Sequence, residues 1–380
     1  MDGQCASPFH LSFFVPTLAG GGAERVVVTL ANAFAESGHP VDLLLTSRRG
    51  PQLESVSSKV SVVDFGRQHT WLAVPALVQT LRQRQPDVLV SALFGATVAA
   101  YGATTWMHVR RECVLPLCAT VHSPLSCTET QGPRAYLLDR AAHVALRRIE
   151  TVVAVSRSVA QDLSQCTGRD RGRIDVIHNP IDIDVVQSGA QAPPPHAWFQ
   201  EDVPVVVSAG RLHPQKDHQT LLGALARLRK RDRVRAIILG EGPERRRLEE
   251  QSRKLGISSD TAFPGFVENP CAFMTRADVF ALPSASEAFG NVVVEALACG
   301  TPVVATESSG GPVEILRTDD ATYGSLVPPH DPAALADTLD KVLDRPVDRS
   351  RLQQRARDFD VPEAVNRYRA LFERIVRSPS

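Results

Sequence analysis

The sequence predicts an α/β protein with two doubly wound parallel sheets, and two observations carry that prediction. Short, continuous apolar runs alternate with segments of helical periodicity, as expected for strands that helices cover on both faces. The 380-residue length suits two domains, and the alternation stops in the proline-rich stretch 189–195 before it restarts. We therefore expect two sheets facing each other across a cleft lined by strand carboxyl ends, where such folds bind ligands.

The individual elements follow from the same alternation. In the first half we expect strands at 10–15, 41–46, 61–65, 87–92, 117–121, 151–155 and 174–177, with helices between them. In the second half we expect strands at 204–209, 234–239, 261–263, 278–282 and 302–305, and helices at 217–231, 244–255, 270–276, 332–343, 349–359 and 362–376. The linker is placed at 180–200. The predicted domains are residues 1–188 with the C-terminal helix 361–380, and residues 189–360.

Composition limits the classes of function. Lys and Arg number 42, as do Asp and Glu, so the net charge of zero gives no sign of a nucleic-acid partner. The seven cysteines form no CxxC pair, which favours reduced thiols in the cytoplasm over a disulfide framework or a zinc site. The sequence shows neither a signal peptide nor an apolar run of about 18 residues, so we expect a cytoplasmic protein without a membrane span.

The stretch from Glu287 to Glu295 is the most informative one. It lies between two predicted buried strands, turns at Gly290 and enters a helix, with Glu295 expected about two turns into that helix. Backbone N–H groups from Ala288 to Val292 are the unpaired donors of a helix start and can hold an anion. A carboxylate beside an anion site repels the anion unless a hydroxyl-rich group separates them, as the sugar of a sugar phosphate does. An exposed acid favoured by the helix dipole is the alternative.

Two cations follow the first strand of the second half. Arg211 comes directly after a Gly turn, and Lys216 comes just before the next helix. Arg offers a planar fork and Lys a compact charge, which together suit two linked phosphates. The alternative is two solvated surface cations.

The first half holds a glycine loop and a histidine. Gly21 and Gly22 lie between the first strand and the first helix, in a loop beginning at Gly20, where a helix start attracts anions. The loop lacks the third glycine of a dinucleotide fingerprint and the Gly-Lys-Ser/Thr of a Walker loop, so neither a dehydrogenase nor a P-loop enzyme is expected. His122 ends a predicted buried strand, a position suited to hydrogen bonding a ligand or to acid–base work.

Three weaker signals remain. Val267 follows a short strand and offers an apolar wall for the base of a nucleotide. An ordinary turn with no ligand is an equally good interpretation of this segment. Asp182-Ile-Asp184 and Asp358-Phe-Asp360 spell a metal–phosphate pattern but sit away from predicted strand ends, so we expect no metal. Basic residues of the first half form either a solvated helix face or a patch for an anionic membrane or lipid phosphate. These residues are Arg110, Arg111, Arg134, Arg140, Arg147 and Arg148.

Together these motifs resemble the retaining glycosyltransferases of the GT-B fold, family 4, over nearly the whole chain. The strongest part is Glu287-x7-Glu295 with the Glu-Ala-Leu-Ala-Cys-Gly-Thr-Pro ending. Supporting matches are Gly-Gly-Ala-Glu-Arg at 21–25, Val155-Ser-Arg-Ser-Val, His178-Asn-Pro-Ile-Asp, Gly210-Arg-Leu with Lys216-Asp, and Gly240-Glu-Gly-Pro. The resemblance implies two Rossmann-like domains facing across a cleft, with the C-terminal helix crossing back to the N-terminal domain. The N-terminal domain would bind the acceptor and the C-terminal domain the nucleotide-sugar.

The resemblance also implies a role for each site residue. Arg211 and Lys216 would bind the diphosphate, Glu295 the ribose, and Glu287 the transferred sugar. The backbone of Ala288, Phe289, Gly290 and Asn291 would hold that sugar too, and Val267 would lie near the base. His122 would face the sugar, with Gly21 and Gly22 near the phosphate and acceptor. The catalytic set is therefore Glu287, His122, Arg211 and Lys216. No cofactor or metal is implied.

The expected activity is transfer of a hexose or N-acetylhexosamine to a surface-glycan, lipopolysaccharide or lipid-linked acceptor. The segment Ser309–Leu316 resembles members that use UDP-sugars. Ala288 and Ser123 depart from residues common in the family, which puts the sugar preference in doubt. A sugar-nucleotide epimerase and a non-catalytic sugar- or nucleotide-binding protein of the same fold are the alternatives. The expected location is the cytoplasm or the inner face of the cell membrane.

Overall fold

The computed structural model describes residues 8–19, 21–126, 132–228, 234–308 and 310–377. Gly20 of the predicted glycine loop, the end of the helix predicted to reach Arg231, and Ser309 lie outside these residues, as do Cys5 and Cys127. The chain divides into two compact units. The first comprises the described residues up to Pro180 and those from Val361 onward, and the second runs from Ile181 to Asp360.

The first unit is an open sheet of seven parallel strands covered by helices. Its strands are Leu11–Val15 (β1), Val41–Leu45 (β2), Ser61–Asp64 (β3), Val88–Ala92 (β4), Leu117–Val121 (β5), Thr151–Ala154 (β6) and Asp175–Val176 (β7). Its helices before the second unit are Gly22–Glu36 (α1), Val74–Arg84 (α2), Phe94–Val109 (α3), Pro133–Arg148 (α4) and Arg157–Thr167 (α5). The strand order is β3-β2-β1-β4-β5-β6-β7, so the order reverses between β1 and β4.

The second unit is a sheet of six parallel strands in the order β10-β9-β8-β11-β12-β13. Its strands are Val205–Ala209 (β8), Arg235–Leu239 (β9), Thr261–Gly265 (β10), Val279–Leu282 (β11), Val303–Thr306 (β12) and Ser325–Val327 (β13). Its helices are Ile183–Ala190 (α6), His218–Leu228 (α7), Arg245–Lys254 (α8), Cys271–Met274 (α9), Asn291–Ala298 (α10), Gly311–Leu316 (α11), Pro332–Leu343 (α12) and Arg349–Arg357 (α13). The order reverses between β8 and β11.

The last helix, Val361–Arg377 (α14), belongs to the first unit although it follows the second in sequence. It packs on α1, and its Tyr368 and Phe372 are buried in the core cluster that includes β1 and β2. The rings of Phe34 and Phe372 lie 5.6 Å apart between centroids. The predicted fold class, including the return of the C-terminal helix, is confirmed.

The region predicted as a linker contains a helix instead. The Asp182 carboxylate caps α6 by accepting a hydrogen bond of 2.9 Å from the backbone N–H of Val185. Asn269 then donates to the backbone oxygen of Gly189 at 2.8 Å, so α6 is tied to the second unit. The units therefore divide at Pro180, before the boundary expected after residue 188. Neither β13 nor α11 was predicted from the sequence, because each is only a few residues long.

Candidate functional site

The strand-end loops of the second unit are held together by backbone hydrogen bonds. The Gly210 N–H donates to Leu239 at 3.0 Å, and the Gly240 N–H donates to Gly265 at 2.8 Å. Gly240 has φ +132°, and a Cβ built on it would lie 2.0 Å from the Gly210 oxygen. A side chain at this position would separate the loops, so glycine is required to bring β8, β9 and β10 to a common carboxyl edge.

Lys216 and Glu287 meet at the point where the strand order reverses. The Lys216 ammonium forms an ion pair with Oε1 of Glu287, and the Ser284 hydroxyl donates to the same oxygen at 2.8 Å. The Glu287 side chain is only 9% exposed and that of Lys216 22%. The structure thus brings together two residues that the sequence placed 71 positions apart. A ligand anion near Glu287 would meet a carboxylate whose charge Lys216 already compensates.

A second set of contacts joins the same two loops. The Ala285 N–H donates to the Gln215 backbone oxygen at 2.9 Å, and the Gln215 side chain donates to the Ser286 oxygen at 3.1 Å. Ser284 and Gln215 were not among the site residues predicted from the sequence. Ser284 offered a signal, because it follows β11 by one proline at a strand end, whereas a lone Gln in a loop offered none.

Arg211 lies at the start of the loop that ends at Lys216. Its side chain is exposed, and it has no hydrogen-bond or ion-pair partner within the described part of the chain. A guanidinium in this state can turn towards a ligand without breaking an existing contact. The two cations therefore differ, because Lys216 is held by Glu287 whereas Arg211 is available to contact a ligand.

The segment Phe289–Asn291 is set by close packing. Phe289 is buried and its ring lies 5.6 Å from that of Phe359 between centroids. Gly290 is the N-cap of α10 with φ +90°, and Asn291 is the first residue of the helix. A Cβ on Gly311 would lie 2.1 Å from the Phe289 oxygen, so α11 begins directly against this turn. Ala288 is half-buried beside it.

The helix start differs from the one predicted. Because α10 begins at Asn291, Glu295 lies little more than one turn into the helix, not two. The N–H groups of the first helical turn accordingly begin at Asn291 and not at Ala288. Glu295 is 5% exposed and lies on the buried side of α10. Val267 is half-buried just after β10, and its neighbour Phe266 is 74% exposed.

In the first unit, Gly21 and Gly22 begin α1. Gly21 is the N-cap, with extended backbone, and Gly22 is the first helical residue. The preceding loop is fixed against the loop after β2, because the Leu18 N–H donates to Arg49 at 2.8 Å. Gly50, with φ +116°, permits this approach, since a Cβ there would lie 1.8 Å from the Leu18 oxygen.

His122 follows β5 and is largely buried. Its Nε2 lies 3.0 Å from the Thr120 hydroxyl, which itself donates to the Ser91 oxygen at 3.1 Å. Because the hydroxyl hydrogen is used, Nε2 carries the proton and Nδ1 is the acceptor. Burial lowers the pKa of His122 to about 4, more than the Asn179 side chain raises it. The imidazole is therefore neutral at pH 7, and its buried Nδ1 has no hydrogen bond of standard geometry.

The Asp-x-Asp acids have local structural partners. Asp182 caps α6, and Asp358 forms an ion pair of 2.7 Å with Arg355. Across the described ranges, no group of three or more His, Cys, Asp and Glu side chains has the spacing to hold a metal ion. Within the same ranges, no helix is both long and apolar enough to cross a membrane.

Solved structures with the same architecture define the fold of the protein. The crystal structure of Anabaena Alr3699/HepE in complex with UDP-glucose has a TM-score of 0.80 at 23% identity, covering 96% of this chain and 100% of that one. The lipopolysaccharide outer core galactosyltransferase WaaB, in its apo form, has a TM-score of 0.74 at 18% identity, covering 96% and 99%. At these identities the likeness concerns the fold, which is the two-domain GT-B fold.

The family follows from the sequence. Residues 195–359 match the family model of glycosyl transferases group 1, and residues 20–185 match that of glycosyltransferase family 4. The chain therefore belongs to the group 1, family 4 glycosyltransferases. A relative from Mycolicibacterium smegmatis named D-inositol 3-phosphate glycosyltransferase is 39% identical over 195 residues, which is 49% of this chain and 43% of the relative. The chain thus spans less than two thirds of the length of that curated relative.

Proposed function

We propose that the protein is a retaining, metal-independent glycosyltransferase that moves a hexose or N-acetylhexosamine from a UDP-linked donor. The observation that carries the proposal is the Lys216–Glu287 ion pair at the switch point of the second sheet, with the free Arg211 on the same loop. In an open parallel sheet this point is where nucleotides bind. Two cations for a diphosphate and a carboxylate for sugar hydroxyls are the groups that a nucleotide-sugar requires.

The chemistry of the transfer follows from these groups. As the bond between the sugar and the diphosphate breaks, negative charge grows on the leaving diphosphate. Arg211 and Lys216 can stabilise that charge, and the first N–H groups of α10 can contribute to the same stabilisation. An ammonium has three hydrogens, so Lys216 can keep Glu287 and still donate to a phosphate oxygen. The nearby carboxylate favours positive charge developing on the sugar.

His122 would act in this reaction as a neutral hydrogen-bonding group. Its Nε2 hydrogen is directed to Thr120, and a sugar hydroxyl could reach the buried Nδ1 acceptor only after the ring turns. A pKa of about 4 argues against a charged imidazolium at neutral pH. We therefore assign His122 to sugar binding within the catalytic set. Gly21 and Gly22 would place the N–H groups of the α1 start near the acceptor or its phosphate.

A thermal-shift panel of UDP, GDP, ADP and their sugars tests the donor. Saturating UDP or a UDP-sugar should raise the melting temperature, since a ligand at about 100 times its Kd stabilises by about 2.7 kcal/mol. Because the HepE complex contains UDP-glucose, UDP is the first nucleotide to try. Stabilisation by GDP compounds alone would refute the UDP assignment, and no stabilisation by any of them would refute the transferase proposal.

Product analysis then separates the transferase from its alternatives. For the acceptor we propose a surface-glycan, lipopolysaccharide or lipid-linked sugar. Inositol phosphate is the second candidate, because of the name of the 39% identical relative. The preferred UDP-sugar should be consumed rapidly only with an acceptor, giving an α-linked product from an α-linked donor. Conversion of the nucleotide-sugar without acceptor would identify an epimerase. Binding without any turnover across the acceptor panel would identify a non-catalytic binding protein.

A further inference from the structure

The first unit carries an unusual concentration of exposed apolar side chains. Of the fourteen large apolar residues that are exposed within the described residues, nine lie between positions 71 and 144. Six of them matter here, namely Trp71, Trp106, Val109, Tyr136, Leu137 and Val144. Trp71 is 70% exposed, Trp106 51% and Leu137 66%. These side chains lie largely outside the core of the unit, and exposed apolar side chains grouped on neighbouring elements indicate a partner.

These residues belong to elements that pack side by side. The helix α3 contacts both α4 and the short turn Thr70–Ala73 that carries Trp71. On α4, the exposed residues include Tyr136, Val144 and Arg147, while the residues at the opposite angle, such as Ala142 and Ala145, are buried. One outer side of the first unit therefore presents a mixed surface, which we call the aromatic–arginine face.

The charge on this face is predominantly positive. The segments 70–84, 94–112 and 133–148 contain eight Arg and two acids, in a chain whose net charge is zero. Glu112 is already neutralised by Arg82 at 2.6 Å, and Asp139 lies 3.5 Å from His143. In the described part of the molecule, Arg140, Arg147 and Arg148 have no acidic partner. The Arg110 guanidinium lies 4.8 Å from the ring centroid of Trp106, so positive charge and aromatic surface are interleaved.

We propose that the aromatic–arginine face docks onto an anionic lipid bilayer. Trp and Tyr favour the headgroup level of a membrane. There the apolar part of the ring contacts the lipid and the polar N–H or O–H group stays in contact with water. Arginines beside them can extend to lipid phosphates, and an anionic leaflet attracts unneutralised basic residues. The apolar side chains supply burial and the arginines supply the selectivity for negative charge.

Two copies of the protein suit this face less well. In a two-fold dimer the same patch meets itself, so Arg140, Arg147 and Arg148 would face like charges. The fully buried centre of a protein interface is also depleted of charged residues, whereas here arginines lie among the apolar ones. A bilayer avoids both problems because its headgroups carry the opposite sign. The inference goes beyond the proposed function, since it names a surface and a partner without depending on any donor or acceptor.

Vesicle flotation of the full chain, without donor or acceptor, tests the inference. We expect binding to vesicles of phosphatidylcholine with one third phosphatidylglycerol, and little binding to phosphatidylcholine alone. Raising the salt from about 0.1 M to about 1 M shortens the screening length from about 10 Å to about 3 Å and should release the protein. The double variant Arg140→Gln with Arg147→Gln should bind about 25-fold more weakly, at about fivefold per arginine. Trp71→Ser with Trp106→Ser should weaken binding to the anionic vesicles although it removes no charge.

Matched variants on the second unit control for charge and hydrophobicity. Arg246→Gln with Arg253→Gln removes the same charge from α8, where Arg246 is 90% exposed. Val185→Ser removes an apolar side chain that is 65% exposed on α6. Both controls should float like the unmodified protein, and far-UV circular dichroism should be the same for all variants. The inference is overturned if the protein ignores anionic vesicles, if the controls lose as much binding, or if the Trp variant changes only the oligomeric mass in solution.

Discussion

At the scale of single residues, the pairing of Lys216 with Glu287 decides what the candidate site can bind. A buried carboxylate with no counter-charge would repel a diphosphate and would be costly to keep ionised. The ion pair, together with the hydrogen bond from Ser284, removes both difficulties. The proposed function therefore gives the same lysine two tasks, which are stabilising the free protein and binding the donor.

Replacing the lysine should separate these tasks. Lys216→Met leaves Glu287 buried without its cation and should lower the free energy of unfolding by about 1–3 kcal/mol. Glu287→Gln keeps the Ser284 contact and should cost less. In the double variant the unpaired charge is gone, so stability should recover while UDP-sugar binding stays weak. Urea unfolding and UDP titration measure the two effects. Additive losses of stability in the double variant would contradict this account.

The protonation state of His122 gives a second prediction. A folded-state pKa near 4, below the ordinary 6.5, keeps the imidazole neutral throughout the range from pH 8 to 5.5. Transferase activity should therefore show no decline near pH 6.5 that depends on this residue. His122→Ala should reduce kcat/KM about 10- to 100-fold, and His122→Gln, which retains an acceptor, should reduce it less.

The same pKa shift links folding to pH. The lowered pKa means that the unfolded chain takes up a proton before the folded one does. The stability contributed by neutral His122 is thus fully present above pH 6.5 and is lost as the pH falls towards about 4. Urea unfolding at several pH values should show a shallower acid decline for His122→Gln than for the unmodified protein. Equal declines, or an activity loss at pH 6.5 that His122→Gln abolishes, would refute the assignment.

At the scale of elements, the site is shaped by glycines at which two segments touch. Gly240 lets the loops after β8 and β9 meet, and Gly311 lets α11 start against Phe289. The contact at Gly311 holds the turn that precedes α10, whose first N–H groups are proposed to face the donor. These glycines are therefore part of the site although they carry no side chain.

The sequence predicted the elements well and their mutual contacts poorly. Continuous apolar strands such as Val205–Ala209 are readable because both faces of a parallel sheet are buried. The start of α10 at Asn291 was misplaced because it depends on the left-handed turn at Gly290 and on α11 packing against it. The Lys216–Glu287 pair was equally out of reach, since two positions 71 residues apart carry no local signal. The assigned roles of Arg211, Val267 and Glu295 stay predictions.

Gly311→Ala tests the packed turn directly. The added methyl group would lie 2.1 Å from the Phe289 oxygen, so α11 must move and the turn must move with it. We expect a loss of about 1–3 kcal/mol in the free energy of unfolding and weaker UDP-sugar binding. Gly102→Ala in α3 is the control, because a Cβ there meets open space and alanine favours a helix. Unchanged donor affinity in Gly311→Ala would separate this turn from the donor site.

At the scale of the whole molecule, each unit has its own hydrophobic core, and the first unit is built from two segments that the second unit separates in sequence. The core cluster of the first unit includes Val365, Tyr368, Leu371 and Phe372 of α14, although the second unit precedes that helix. The second unit has its own core cluster, formed entirely from residues between positions 206 and 339. Removing the C-terminus should therefore damage the first unit, while the second unit should be able to fold alone.

A chain ending at Asp360 should show this division. Four buried side chains of α14 are lost, each worth roughly 1.5–3 kcal/mol, which together approach the whole stability of a domain. The first unit should unfold, seen as a loss of far-UV circular dichroism larger than the removal of α14 alone would cause. The fragment from Ile181 to Asp360 should retain a cooperative transition and bind UDP, because Arg211, Lys216 and Glu287 all lie within it. A truncated chain that melts like the full protein, or an unfolded fragment, would show that the two cores depend on each other.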